Sequence, residues 1–237
     1  LAQHISRKEL KKDELRETFA HGAEALLSHQ RLTIYLGIAV VVVALGVFGW
    51  RAYAQRQTVK AAAAFDDAMR IFQAPVGVPP TAGELTYNDA NKKFTDAGQK
   101  FSGVASKYPR TRPGELARYY SALSAEKLGK NDEAKKWLAG IESSSDPEIA
   151  AMAQFELASL DDRTNQGDDA VKLYQQLIAK PTVLVPKPMV MLALAEHYLD
   201  KNPSEAVKLY QQIKTDYPDT PIGEQADQAL ALLAGKS

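Results

Sequence analysis

Few side chains in this sequence are placed to do chemistry. His197 stands beside Glu196, and an imidazole next to a carboxylate is the raw material of acid–base catalysis. Neighbours on a helix point about 100° apart, so the two diverge, and His197 is expected on the solvent or groove side of a helix. His4, His21 and His29 lack the i, i+4 spacing that puts two imidazoles on one helix face, so they read as surface residues, not metal ligands. Asp66-Asp67, Asp161-Asp162 and Asp168-Asp169 diverge in the same way, and near turns they are expected to favour helix starts. The absence of cysteine removes thiol nucleophiles, disulfides and every zinc site that needs thiolate. No G-x-S-x-G, H-E-x-x-H, glycine-rich phosphate loop or calcium loop occurs. The expectation is a protein that is not an enzyme, with no catalytic residue, metal, cofactor or small-molecule substrate. The 29 basic and 29 acidic side chains leave no cationic excess to neutralise phosphates, which argues against nucleic acid as a partner.

With no chemistry to position, the elements themselves become informative. AVKLYQQ at 170–176 recurs at 206–212, thirty-six residues later. The same register places a small residue at Ala97, Ala134, Ala170 and Ala206. Four positions on stand Phe101, Leu138, Tyr174 and Tyr210, and seven on stand Val104, Ile141, Leu177 and Ile213. Positions i, i+4 and i+7 share one helix face, and a period in this range marks stacked repeats. Each such helix follows another, rich in alanine and leucine, that carries Ala122, Leu157-Ala158 or Leu194-Ala195. The turns between them, at 128–131, 164–167 and 200–203, contain Gly or Asn, which tolerate the left-handed conformation. Asn202-Pro203-Ser204-Glu205 offers a cap, and Pro113, Pro147, Pro188 and Pro221 are placed to start the other helices. Small residues let paired helices approach closely while aromatic residues fill the gaps between pairs.

Residues 32–50, LTIYLGIAVVVVALGVFGW, form an uncharged run of nineteen between Arg31 and Arg51. As a helix it would reach roughly 28 Å, close to the hydrocarbon thickness of a bilayer. A buried core helix seldom goes so far without a polar face. The small residues Ala52 and Ala54 resemble a signal-peptide cleavage site, but the run is too long and follows too acidic a segment, so an uncleaved anchor is expected. Tyr35 and Trp50 suit interfacial belts. Lys12, Arg16 and Arg31 on one side are balanced by Arg51, Arg56, Lys60 and Arg70 on the other, so charge does not orient the span. Ahead of it, Ser6-Arg7-Lys8-Glu9 has the form of a capping box, and Leu15, Phe19, Ala23, Leu26 and Leu27 fall on one side of the following helix. That tail suits a membrane surface, a partner helix, or a solvated extension of the anchor.

The pattern small-x3-aromatic-x2-apolar-x4-Pro, preceded by a Leu-small pair and a turn, resembles the tetratricopeptide repeat over 88–233. The tryptophan usual in the first helix is absent. Proline- and glycine-rich residues 74–83 stand where the helix paired with Ala97 should be, so that helix is expected at 56–73, displaced by an insertion. Thus the fold class is all-α: a tail at 1–31, a single N-terminal transmembrane helix at 32–50, and an α-solenoid of tetratricopeptide-like helical hairpins at 51–237. An insertion at 74–87 and a C-terminal capping helix at 222–233 complete it.

The tail SRKELKKDELRE, the HQR before the span, the alanine-rich helix after it, and the KYP and DYP repeat ends make the whole chain similar to the ancillary SecYEG translocon subunit family. That resemblance implies a bacterial inner-membrane protein with a cytoplasmic N-terminus and a periplasmic repeat domain. It also implies protein partners, namely the Sec translocon and periplasmic chaperones or exported clients. A scaffold for another envelope assembly, and a sensor whose repeats bind a ligand, remain open on the residues alone. The tetratricopeptide likeness further implies a partner-binding groove lined by the first helix of each pair. Counting from the Leu-small positions assigns Tyr119, Leu123, Met152, Phe155, Met189 and Leu192 to it.

Overall fold

The computed structural model describes residues 30–79, 83, 85–164 and 167–235. The expected tail helix, its capping box and His4, His21 and His29 lie outside these residues. Among those described the protein is all-α: α1 Gln30–Gln73, α2 Ala90–Lys107, α3 Arg112–Lys127, α4 Asn131–Ala139, α5 Pro147–Arg163, α6 Gly167–Ala179, α7 Lys187–Lys201, α8 Pro203–Asp216 and α9 Pro221–Ala234. The chain divides into two compact units, 1–56 and 57–237.

In the first unit, α1 is long and apolar enough to cross a membrane. Every side chain from 34 to 51 is exposed, Phe48 at 74% and Trp50 at 70% of their area, so this stretch is not the covered core helix of a globular domain.

The second unit is a run of antiparallel helical pairs. Residues 57–73 of α1 pair with α2, bringing Ala61 and Ala68 into one cluster with Ala97, Phe101 and Val104. After it come α3 with α4, α5 with α6, and α7 with α8, and α9 closes over α8. The small residues Ala97, Ala134, Ala170 and Ala206 are buried, as are all eight apolar residues four and seven positions after them. One face of each second helix is therefore the seam of its hairpin. Between the first two pairs the gap is filled by rings: Phe101 stacks on Tyr120 with centroids 5.2 Å apart, and Phe65 and Phe72 meet Tyr120 edge-on.

Helix starts follow local chemistry. Asp89, Thr111, Asp146 and Thr220 accept backbone amides at the first turns of α2, α3, α5 and α9, satisfying donors that have no partner within the helix. Proline occupies one of the first two positions of α3, α5, α7, α8 and α9. Two expectations about turns fail. Asn202 caps no amide of α8, because its Oδ1 instead accepts from the Ser204 hydroxyl at 2.7 Å. Gly167 does not end a helix in the left-handed region but begins α6, where a Cβ would stand 2.7 Å from His197 Cε1. A side chain there would have to displace the Lys201 ammonium and the His197 ring, so packing and not turn conformation favours glycine. Gly129, at φ 71°, is the left-handed turn residue the sequence led one to expect.

One element recurs three repeats apart. Tyr108-Pro109-Arg110-Thr111-Arg112-Pro113-Gly114 matches Tyr217-Pro218-Asp219-Thr220-Pro221-Ile222-Gly223 in conformation. In each, the threonine hydroxyl donates to the tyrosine carbonyl at 2.9 Å and accepts from the glycine amide. A Cβ on either glycine would lie 1.9 Å from that carbonyl oxygen.

The described part of the insertion folds back on the helices. Gly77 donates to the Tyr87 carbonyl at 2.8 Å, Tyr87 donates to that of Pro75, and the Tyr87 hydroxyl donates to Asp96. The link between α6 and α7 is held differently. The Val183 and Leu184 amides donate to the Glu148 carboxylate at 3.1 and 2.8 Å, and Val185 is buried between prolines 181 and 186. The tip side chains stand in solvent, Val183 with 86% of its area exposed.

Two tests of the register follow. Ala170→Leu or Ala206→Leu should overpack a hairpin and lower stability by about 1 to 3 kcal/mol, while Lys172→Ala and Lys208→Ala, both on the solvent side, leave the melting temperature nearly unchanged. Gly114→Ala and Gly223→Ala should each destabilise the domain, also by roughly 1 to 3 kcal/mol, since the obstructing atom is backbone and cannot rotate away. Gly103→Ala, in open space on α2, should be neutral or stabilising. Thermal melts of the full chain in detergent check both.

Candidate functional site

The first helices α3, α5 and α7 carry all six residues assigned to the groove. All six are half-buried. Tyr119 packs at the edge of the cluster around Leu138 and Leu157, Met152 and Phe155 at the edge of that around Tyr174 and Leu177, and Leu192 beside Met191 and Tyr210. Phe155 meets Tyr174 edge-on at 6.0 Å. In the repeat register Tyr119, Phe155 and Leu192 are counterparts, and Met152 and Met189 correspond to Leu116. Leu116 is partly buried against the Leu138 cluster. Leu123 is the counterpart of Ser159 and Glu196 and belongs to a different, more polar row.

Three hollows in the second unit lie away from these six residues. One of about 170 Å³ lies between Phe94, Ser121, Ser124 and Trp137; a second, of about 650 Å³, opens between Ile71, Leu85 and Lys100 beside the insertion; a third, of about 600 Å³, runs between Val207, Leu230 and Leu233. No cluster of metal-ligating residues occurs among the described residues.

The most perturbed polar groups lie where α3 meets α5. Arg163, the last residue of α5, reaches Glu126 on α3 at 2.9 Å and Glu156, two turns back on its own helix, at 3.5 Å. The two carboxylates are nearly covered, at 15% and 16% exposure. Burial, and then the hydrogen bond and charge of Glu126, push the Glu156 carboxyl up to about 7, against the weaker pull of Arg163 and Lys127. Burial also raises the Tyr119 and Tyr174 phenols, with Glu156 adding to each.

The same end of α5 is tied to two more helices. Asp161 pairs with Lys135 of α4 at 2.7 Å. Asp162 accepts a hydrogen bond from His197 Nδ1 at 2.6 Å and lies 3.7 Å from Lys201, both on α7. This corrects two expectations from the sequence. His197 is buried, not exposed, because its imidazole fills the space beside Gly167 and Asp162 supplies the hydrogen bond that burial demands. Asp161 and Asp162 end a helix instead of starting one; bonds to neighbouring hairpins offset the unfavourable end of the helix dipole. Residue types alone had not singled out Glu126, Glu156 or Arg163. The available signal was the period: Glu126 and Arg163 stand 37 positions apart and Asp162 and His197 stand 35 apart, each close to one repeat.

Comparison with known proteins agrees with this architecture. The family described as Tetratricopeptide repeat-like domain matches residues 28–181, and that described as Tetratricopeptide repeat matches 189–220. No curated protein and no solved structure matches the chain. The buried small residues at each hairpin crossing, the large apolar residues one turn on and the family match over most of the chain make this protein a member of the tetratricopeptide repeat-like domain family.

Proposed function

We propose that the chain is a membrane-tethered, non-enzymatic protein-interaction module. The observation that carries this reading is the row of Tyr119, Phe155 and Leu192, with Met152 and Met189 one turn back. It repeats on three successive first helices and stays half-buried when the hairpins have packed. A row of aromatic and thioether side chains at the repeat spacing suits an extended or helical segment of varied sequence, since methionine adapts its shape and rings offer large contact area. The tetratricopeptide family supports protein partners in general. The tethering half rests on the apolar, uncovered stretch of α1.

The finer reading is an accessory of the Sec translocon in the bacterial inner membrane, with the repeat domain in the periplasm, linking exported chains to periplasmic chaperones. Its support is the residue pattern: the basic-acidic tail, the HQR before the span and the repeat ends at Tyr108-Pro109 and Tyr217-Pro218. Cross-linking in native membranes, with the attached proteins identified, separates it from its rival. Export-channel and chaperone partners favour it, whereas a dedicated motility, secretion or peptidoglycan assembly replaces it with an envelope scaffold.

Two outcomes are expected. Tyr119→Ala with Phe155→Ala should reduce partner capture, by about 1 to 2 kcal/mol for each ring that anchors the interface, while circular dichroism still reports a folded helical domain. Unchanged cross-linking yield in the folded double variant would move the binding site to the convex face or to the insertion at 74–83. A reporter fused after Ser237 should be active only if its activity requires export, and one active in the cytoplasm would reverse the orientation.

A further inference from the structure

The junction between α3 and α5 carries two carboxylates and one guanidinium. Glu126 and Glu156 are both nearly covered, while Arg163, half in solvent, is close to Glu126 and farther from Glu156. Lys127 adds only a weaker pull than Arg163, and the other nearby cations are engaged elsewhere. From α3 the junction faces Tyr119 and Lys127 besides Glu126; from α6 it faces Tyr174. Lys135 on α4 is taken by Asp161, and His197 and Lys201 on α7 are taken by Asp162. Two like charges within hydrogen-bond reach in a covered site are not both retained when a proton is available.

We propose that Glu156 keeps its proton in the folded domain by sharing it with Glu126, and that the α3–α5 junction, firmest in acid, loosens as the pH rises toward neutrality. These are the first helices that carry Tyr119 and Phe155, so the device would also tune the binding row; that consequence alone rests on the reading of the row as a partner site. With the proton in place, the neutral carboxyl donates to its ionised neighbour, and Arg163 meets a net single charge. Without it, two carboxylates repel across the seam between hairpins, and relief comes from separating the helices or admitting water.

The linkage has a definite sign. In the folded domain Glu156 keeps its proton to about pH 7, whereas an ordinary glutamate loses it near 4.5. Between those values the folded state binds more protons than the opened one. The junction is therefore firmest at the acidic end, weakens as the pH rises through this window and changes little above it.

The test is hydrogen exchange on the full chain in detergent, corrected for intrinsic rates, comparing amides of α3 and α5 with those of α8 as an internal reference. In the wild type the opening constant of α3 and α5 should rise by up to about tenfold per pH unit between pH 5 and 7, the linkage of one proton, while α8 stays level. Glu156→Gln keeps a neutral donor toward Glu126 and should abolish that rise. An equal rise in the variant, or none in the wild type, overturns the proposal. Infrared spectroscopy supplies a readout on the wild type itself: a protonated-carboxyl band should persist at pH 6 and fade by pH 8. Its absence at pH 6 overturns the proposal even if the variant fails to fold. Because both readings are taken without a partner, they stand or fall separately from the assignment of the binding row.

Discussion

An alanine at the crossing point of each hairpin is the constraint from which the rest of the second unit follows. Ala97, Ala134, Ala170 and Ala206 are all but devoid of solvent contact, so each pair of helices meets closely at a residue with almost no side chain. That closeness leaves little room for large side chains at the crossing and moves the bulk one and two turns along, where Phe101, Leu138, Tyr174 and Tyr210 fill the wider part of each seam. Fixed crossings then fix how each hairpin presents its outer faces to the next, and repetition turns a local rule into a solenoid. The ion pairs at the end of α5 act within that frame. They trim the fit between hairpins whose spacing the alanines have already set.

The repeat was legible because steric rules act locally and recur. A small residue every thirty-six or thirty-seven positions, with apolar residues at fixed offsets, identifies the buried face without any three-dimensional information. The prolines and Gly129 were legible for the same reason, since each acts on its own backbone. Polar contacts were harder to read. Asp162 and His197 lie on different hairpins, and neither residue type announces a partner 35 positions away. Read singly, His197 belongs on a surface; only the stacking of α7 on α5 buries it beside a carboxylate. Gly167 deceived in a similar way, as glycine in a turn suggests left-handed backbone while here it makes room for an imidazole.

Membership in the tetratricopeptide repeat-like family adds what packing alone does not, a reason to regard the half-buried residues of the first helices as a surface for other proteins. On the proposed reading, stability and recognition draw on different faces of the same hairpins. The second helices carry the alanine seams, and the first helices carry the aromatic and methionine rows together with the acid pair. On that reading, substitutions on α3, α5 and α7 alter recognition while the crossings remain intact.

The link between α6 and α7 leaves two apolar side chains in water, yet its backbone is held. Glu148 occupies the amides of Val183 and Leu184, prolines stand on both sides, and Val185 is pinned in the core. A protease must bind its substrate as an extended strand several residues long, and this link cannot supply one while α5 keeps Glu148 in place. Although the exposed Val183 and Leu184 look like an inviting cleavage site, cutting there would report the transient opening of α5 and α6, not the exposure of the link.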